Sequence, residues 1–123
     1  MSTASNNDAS SVLTASGVTL GAPLVSPLQV NPYGRGVKVF VTCSVFGAGS
    51  FTVTVQGVMN GIAYTALVSA AIVAAGTTVL TVYPGIAAVA NVSANDPLPR
   101  QWQVTFTPTA FTGVANVGAC VIV

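Results

Sequence analysis

The near-absence of charged side chains constrains this chain more than any other feature of its sequence. Only three basic and two acidic residues occur among 123, so charged residues make up 4% of the chain, against about 25% in ordinary globular domains. Hydrophobic residues reach 52%, which excludes intrinsic disorder because disordered chains combine low hydrophobicity with high charge. The solvent-facing side must therefore consist of small and uncharged polar residues, which give little electrostatic protection against association. We expect the protein to work inside a larger assembly or with copies of itself.

Runs that alternate with a period of two residues predict β-strands. The clearest run, "VKVFVTCSVF", places on one face Val37, Val39, Val41, Cys43 and Val45. The run "FTVTVQGV" follows the turn "GAGS", so these two runs predict a hairpin, and Asn60-Gly61 predicts a second hairpin leading into "IAYTALVSA". Further strand-like runs are "TTVLTVY", "QWQVTFT" and "VANVGACVIV". Only the Ala-rich pieces "LVSAAIVAA" and "IAAVANVSA" resemble helices, and both lack caps and a polar face.

Together these runs predict an all-β fold. We expect a single β-sandwich, immunoglobulin-like or jelly-roll-like, with about seven to nine short and mainly antiparallel strands. The length fits one domain, which we assign to residues 12–123. Residues 1–11 are small and polar, and we interpret them as a flexible N-terminal arm. The N-terminus lacks the pattern of a secretory signal, and no apolar run approaches the roughly 20 residues of a membrane-spanning helix.

The side chains needed for catalysis are almost missing. The chain has no His and no Glu, so a general acid and base pair or a hydrolytic triad cannot be assembled. We therefore predict that the protein is not an enzyme and has no catalytic, metal-binding or cofactor-binding residues. Cys43 and Cys120 lie in valine-rich runs and are interpreted as two buried thiols. Three basic residues are too few for nucleic-acid binding, and no membrane partner is expected.

The few charged side chains are the candidate interface residues. Arg35 lies between two glycines before the clearest strand, and Arg is enriched at protein interfaces. In "NDPLPRQW", Asp96 and Arg100 are four residues apart, with two prolines between them that hold the backbone extended. We name as the candidate interface Arg35, Lys38, Asp96 and Arg100. Phe40 and Phe46 fit either a second buried face or an exposed patch for a neighbouring subunit.

One region resembles a group of small β-rich proteins encoded among the structural genes of long-tailed bacteriophages. The resemblance lies in a strand that ends in "VYPG" and is followed by the pattern "ANDxLPRxWxV". In this chain the matching residues are Val82, Tyr83, Pro84, Gly85, Ala94, Asn95, Asp96, Leu98, Pro99, Arg100, Trp102 and Val104. The earlier stretch "GSFTVTVQG" resembles the hairpin of the same group, and Tyr64 takes the place of its following tyrosine.

The resemblance implies a virion structural protein. The leading hypothesis is a capsid decoration, cement or minor capsid protein that binds the major capsid protein and copies of itself, with a trimer as one arrangement. It would be assembled in the cytoplasm of the bacterial host and lie on the capsid surface. The alternatives are a tail-tube or tail-fibre component, or a carbohydrate- or receptor-binding module that would need exposed tyrosines or an exposed Trp102.

Overall fold

The protein is built from β-strands joined in one sheet. The computed structural model describes residues 9–20, 22–31 and 35–122, and no helix occurs among them. The strands are β1 (Ala9–Leu20), β2 (Leu24–Val25), β3 (Gln29–Val30), β4 (Gly36–Met59), β5 (Ile62–Val68), β6 (Gly76–Val82), β7 (Ser93–Ala94) and β8 (Gln101–Ile122). The sheet has eight strands, within the predicted range of seven to nine, and the all-β prediction is confirmed.

Two long strands form the centre of the sheet. β4 has 24 residues and β8 has 22, and they pair antiparallel from Gly36 opposite Ile122 to Val58 opposite Gln101. The first half of β4 also pairs with β6, and its second half pairs with β5. β1 pairs with the second half of β8, whereas β2 and β3 pair with its first half. β7 adds a short parallel pairing beside β6.

The long strands bend back on themselves, so the one sheet forms two layers. The amide of Leu98 donates to the carbonyl of Arg35 at 3.0 Å, while the ring of the adjacent Pro99 lies against Gly57. A straight strand would separate residues 35 and 57 by about 70 Å at roughly 3.3 Å per residue. β4 must therefore fold over between its two ends, which places the predicted sandwich core between two halves of a single bent sheet.

The bend is made by bulges and by positive φ angles. The register of β4 against β8 shifts three times between Cys43 and Ser50. At the same level Gly49 has a φ of 79° and Gly113 a φ of 148°. Bulges insert extra residues, and they bend the strand and increase its twist. The bend lies where the sequence predicts a hairpin turn, and the chain continues through it in the same strand.

The core lies between the two layers and follows the predicted alternation. In each half of the long strands every second side chain is buried, and the fully buried ones are mostly valines. At the bend the rings of Phe51 and Phe106 stack with centroids 4.6 Å apart, and Phe111 meets Phe51 edge-on at 4.8 Å. Aromatic pairs at such separations add about 0.5–1.5 kcal/mol beyond the area that they bury.

Three predictions about the strands are wrong. The turn "GAGS" does not divide two strands, and "QWQVTFT" and "VANVGACVIV" belong to one strand, β8. Val45 was predicted to share a face with Val37 and Cys43, which are buried, but it is 56% exposed because the register of β4 against β8 shifts directly before it. The Ala-rich pieces, which lack the caps and polar face of a helix, contribute the end of β5, strand β7 and isolated bridges such as that between Ile72 and Phe51.

The predicted boundary of the N-terminal arm is also wrong. Residues 9–11 were assigned to the arm, yet they begin β1 and pair with Gly118–Cys120 of β8. Their strand character was missed because Ala and Ser carry weak β-propensity, and pairing with β8 overrides it. Residues 1–8 lie outside the described residues.

Candidate interface at the open end of the sheet

The stretch "NDPLPR" closes the open end of the bent sheet. It leads from β7 in one layer to β8 in the other. Leu98 is buried, and its amide is bonded to Arg35 before β4. On the other side, Asn31 donates its side-chain amide to the carbonyl of Leu98 at 3.3 Å and its backbone amide to the carbonyl of Arg100 at 2.6 Å. Pro97 and Pro99 therefore lie in a connection between the layers, here called the crossing, whose backbone is hydrogen-bonded to both of them.

Tyr64 packs beside this crossing. Its ring lies over Gly57, where an added Cβ would come within 2.5 Å of the ring and 2.7 Å of Pro99. Only glycine leaves room for both rings at this position. Burial raises the pKa of the Tyr64 hydroxyl, and the nearby carboxylate of Asp96 raises it further. Tyr64 therefore stays neutral over the physiological range and offers a hydroxyl beside an acidic group.

The structure brings together three of the four predicted interface residues. Arg35 is exposed and is bonded through its carbonyl to the crossing, which carries Asp96 and the exposed Arg100. We call Arg35, Asp96, Arg100 and Tyr64 the end surface. No ion pair joins Asp96 to Arg100 within the described part of the chain, so backbone hydrogen bonds, and not a salt bridge, hold the crossing. Neither guanidinium group has an ion-pair partner among the residues that the structure describes.

Lys38 lies elsewhere. It is exposed on the outer face of the layer that contains β6, between Thr81 and Cys120 on the neighbouring strands. Phe40 is half-buried on the same face, beside the partly exposed Val79. Phe46 instead packs against the core near Phe111, with ring centroids 5.9 Å apart. The two phenylalanines that share a face in the sequence pattern thus differ in their surroundings because the first bulge of β4 lies between them.

The aromatic side chains do not form an exposed platform within the described residues. Trp102 is 2% exposed and belongs to the core, and its indole N–H has no hydrogen-bond acceptor among them. Tyr64 and Tyr83 are half-buried. Tyr33 lies outside the described residues. Trp102 therefore offers no exposed indole to a sugar, and the sequence-based alternative of a carbohydrate-binding module would rest on the tyrosines.

The two cysteines occupy different environments. Cys43 is buried and donates its thiol to the carbonyl of Val45 at 3.3 Å. Its burial raises the pKa of the thiol, and the hydrogen bond to Val45 opposes this in part. Cys120 is half-buried on the outer face beside Lys38. The prediction of two buried thiols is thus correct for Cys43 and wrong for Cys120, and both are free thiols.

The structure contains a shallow groove that no sequence motif indicates. It has a volume of about 500 Å³ and is lined by Ala70–Thr78 and Ala90–Val92. No acidic or basic side chain lines it, so it offers van der Waals contact and a few hydroxyl and amide groups. Across the described residues, no three His, Cys, Asp or Glu side chains come together as a metal ion would require. No helix in the same part of the chain is long and apolar enough to cross a membrane.

Comparison with models of protein families, with curated proteins and with solved structures found no match.

Proposed function

We propose that the chain is a structural protein of a bacteriophage particle, most simply a decoration protein that binds the outer surface of the capsid. The observation that carries the proposal is the end surface. It gathers Arg35, Asp96 and Arg100 on a chain whose described residues contain one other charged side chain, Lys38. Arg and Tyr are enriched at protein interfaces, and the crossing that carries Arg100 is held by backbone hydrogen bonds next to Arg35 and Tyr64.

The rest of the surface supports a role in an assembly. Among the residues that the structure describes, the large hydrophobic side chains that remain at least 40% exposed are Val25, Leu28, Val30, Val45, Met59, Ile62, Val73, Val79, Val89 and Val92. Scattered exposed hydrophobics are common in single proteins, but here almost no charge separates them. The resemblance of "VYPG" and "ANDPLPRQW" to the phage group suggests a bacteriophage particle as the assembly to which such a surface would bind.

A binding experiment with capsid shells tests the proposal. Shells of the phage that encodes the chain, prepared without it, are mixed with purified protein and separated by sedimentation. We expect saturable binding, and we expect Arg100→Gln to weaken it by about tenfold because a central interface arginine carries more than about 1 kcal/mol.

The matched control is Lys38→Gln, which removes the same charge from the outer face. We expect that variant to bind like the unmodified chain. Absence of binding to shells, with the chain instead found in purified tails, would replace the head role with a tail role. Equal losses for the two variants would show that net charge, and not the end surface, governs binding.

A further inference from the structure

Strand β5 leaves an uncharged edge of the sheet open. Among the described residues it pairs with β4 only, and its sequence "IAYTALV" contains neither a charge nor a proline. Ile62 at its start is 71% exposed, and Met59 across the turn is 58% exposed. Edge strands of single proteins are normally protected by charges, prolines or a covering segment, because an open edge is a template for pairing with another chain.

The turn before β5 determines which backbone groups face outward. Asn60 and Gly61 have φ angles of 54° and 77°, as in a two-residue hairpin turn. Such a turn makes Met59 and Ile62 a hydrogen-bonded pair, and the pattern then alternates along the strand. The amide and carbonyl groups of Ala63 and Thr65 consequently point away from β4. Further along, the side chain of Asn91 donates to the carbonyl of Val68 at 3.0 Å and occupies that end of the edge.

The other edges differ from this one. β2 and β3 have two residues each and are separated by a segment that contains Pro27. β6 is partly covered by β7. β1 is long, but its register against β8 shifts twice, and the residues before it lie outside the described part of the chain. The window from Ile62 to Thr65 is therefore the edge best suited to accept another strand.

We propose that β5 pairs antiparallel with β5 of a second copy, around a two-fold axis at Tyr64. In this register Ala63 lies opposite Thr65 of the partner subunit, and Thr65 lies opposite Ala63 of the partner subunit. Each of these two pairs exchanges both of its outward N–H···O bonds, which gives four backbone hydrogen bonds. The pairing also brings the exposed Ile62 against the partner strand, and β5 itself contributes no charged side chain to the contact.

This pairing gives a contact surface to the self-association that the low charge of the chain predicts. Of the end surface it uses only Tyr64, because Arg35, Asp96 and Arg100 lie outside β5. It rests on the edge alone, so it can be tested in solution without a phage particle, and its failure would leave the binding of single chains to a capsid intact.

Sedimentation of the purified chain over a concentration series tests the pairing. We expect a dimer that dissociates on dilution. Ile62→Lys places two ammonium groups beside the axis and should give a monomer at concentrations where the unmodified chain is dimeric. Thr65→Pro should do the same, because proline removes an outward donor that the monomer does not use. Far-ultraviolet circular dichroism shows whether each variant is folded. If Thr65→Pro does not fold, the result for Ile62→Lys decides the test.

The matched control is Val73→Lys, which adds the same charge at a position that is 62% exposed and outside β5. We expect it to dimerise like the unmodified chain. A chain that stays monomeric up to about 1 mM, the range of very weak complexes, overturns the proposal. A dimer that survives in folded Ile62→Lys or Thr65→Pro overturns it as well.

Discussion

At the scale of single residues, burial controls the chemistry of the few titratable groups. Cys43 is 2% exposed at the end of the buried row of β4, just before the first bulge. Removing its thiol from water disfavours the thiolate, so the pKa of Cys43 is raised above its ordinary value of 9.0. In the unfolded chain the same thiol titrates normally.

This difference predicts a loss of stability at alkaline pH. Between the ordinary pKa of 9.0 and the raised value, the folded chain holds a proton that the unfolded chain releases. The free energy of unfolding should therefore fall as pH rises through this window, and the contribution of Cys43 should be fully present below it. Denaturant unfolding of the unmodified chain and of Cys43→Ala across this range measures the effect. Parallel pH profiles for the two proteins would contradict the assignment.

Gly57 gives a second test at this scale. A methyl group there meets the Tyr64 ring and Pro99 at 2.5–2.7 Å, so we expect Gly57→Ala to lower the free energy of unfolding by about 1–3 kcal/mol. The same substitution in a Tyr64→Ala background should cost less, because the ring that it meets is absent. Chemical denaturation of the unmodified chain, the two single variants and the double variant completes this double-mutant cycle. An equal loss of stability from Gly57→Ala in both backgrounds would exclude the contact with Tyr64 as its cause.

At the scale of elements, the bend in β4 and β8 determines the architecture. Gly49 lies at the last register shift of β4, and a Cβ there would collide with the backbone of Thr109 and Ala110 in β8. Its φ of 79° is also a conformation that side chains disfavour. One glycine therefore allows both the turn of the strand and its close approach to the neighbouring strand.

Substitution of this glycine should weaken the whole fold. We expect Gly49→Ala to destabilise the protein by at least about 1–2 kcal/mol from its backbone conformation alone, with the collision adding to this. Ser50→Ala, at the next and half-buried position, is the control and should be nearly neutral. Thermal unfolding compares the two, and similar melting temperatures would mean that the bend tolerates a side chain.

The sequence predicts the strand pattern well and the connections poorly. Alternation identifies the buried faces at Val37, Val39 and Val41, and Asn60-Gly61 identifies the hairpin, because both are local properties. The hairpin predicted at "GAGS" is wrong because glycines occur equally in turns and in bulges. Whether the chain turns or bulges there depends on its pairing with β8, more than 50 residues away. A bulge also reverses the alternation after it, which is why Val45 was misplaced.

At the scale of the whole molecule, folding the sheet gathers residues that the sequence separates. Arg35 and Arg100 are 65 positions apart, yet Leu98 bonds directly to Arg35. The charges could be recognised as candidates because they are so rare, but the meeting of Arg35 with the crossing depends on the bend, and Lys38 is excluded because it lies on the outer face of β4. The sequence predicts β5 as a strand without charges, but it does not predict that this strand lies at an open edge of the sheet.

The central proposal, that the chain decorates a bacteriophage head, is tested most directly by locating the chain in purified particles. Mass spectrometry of purified heads and tails, together with electron cryomicroscopy of the intact particle, measures its abundance and position. We predict many copies on the outer surface of the head, with the end surface of Arg35, Asp96 and Arg100 facing the capsid shell. Absence of the chain from the particle, or its presence only in the tail, would contradict this account.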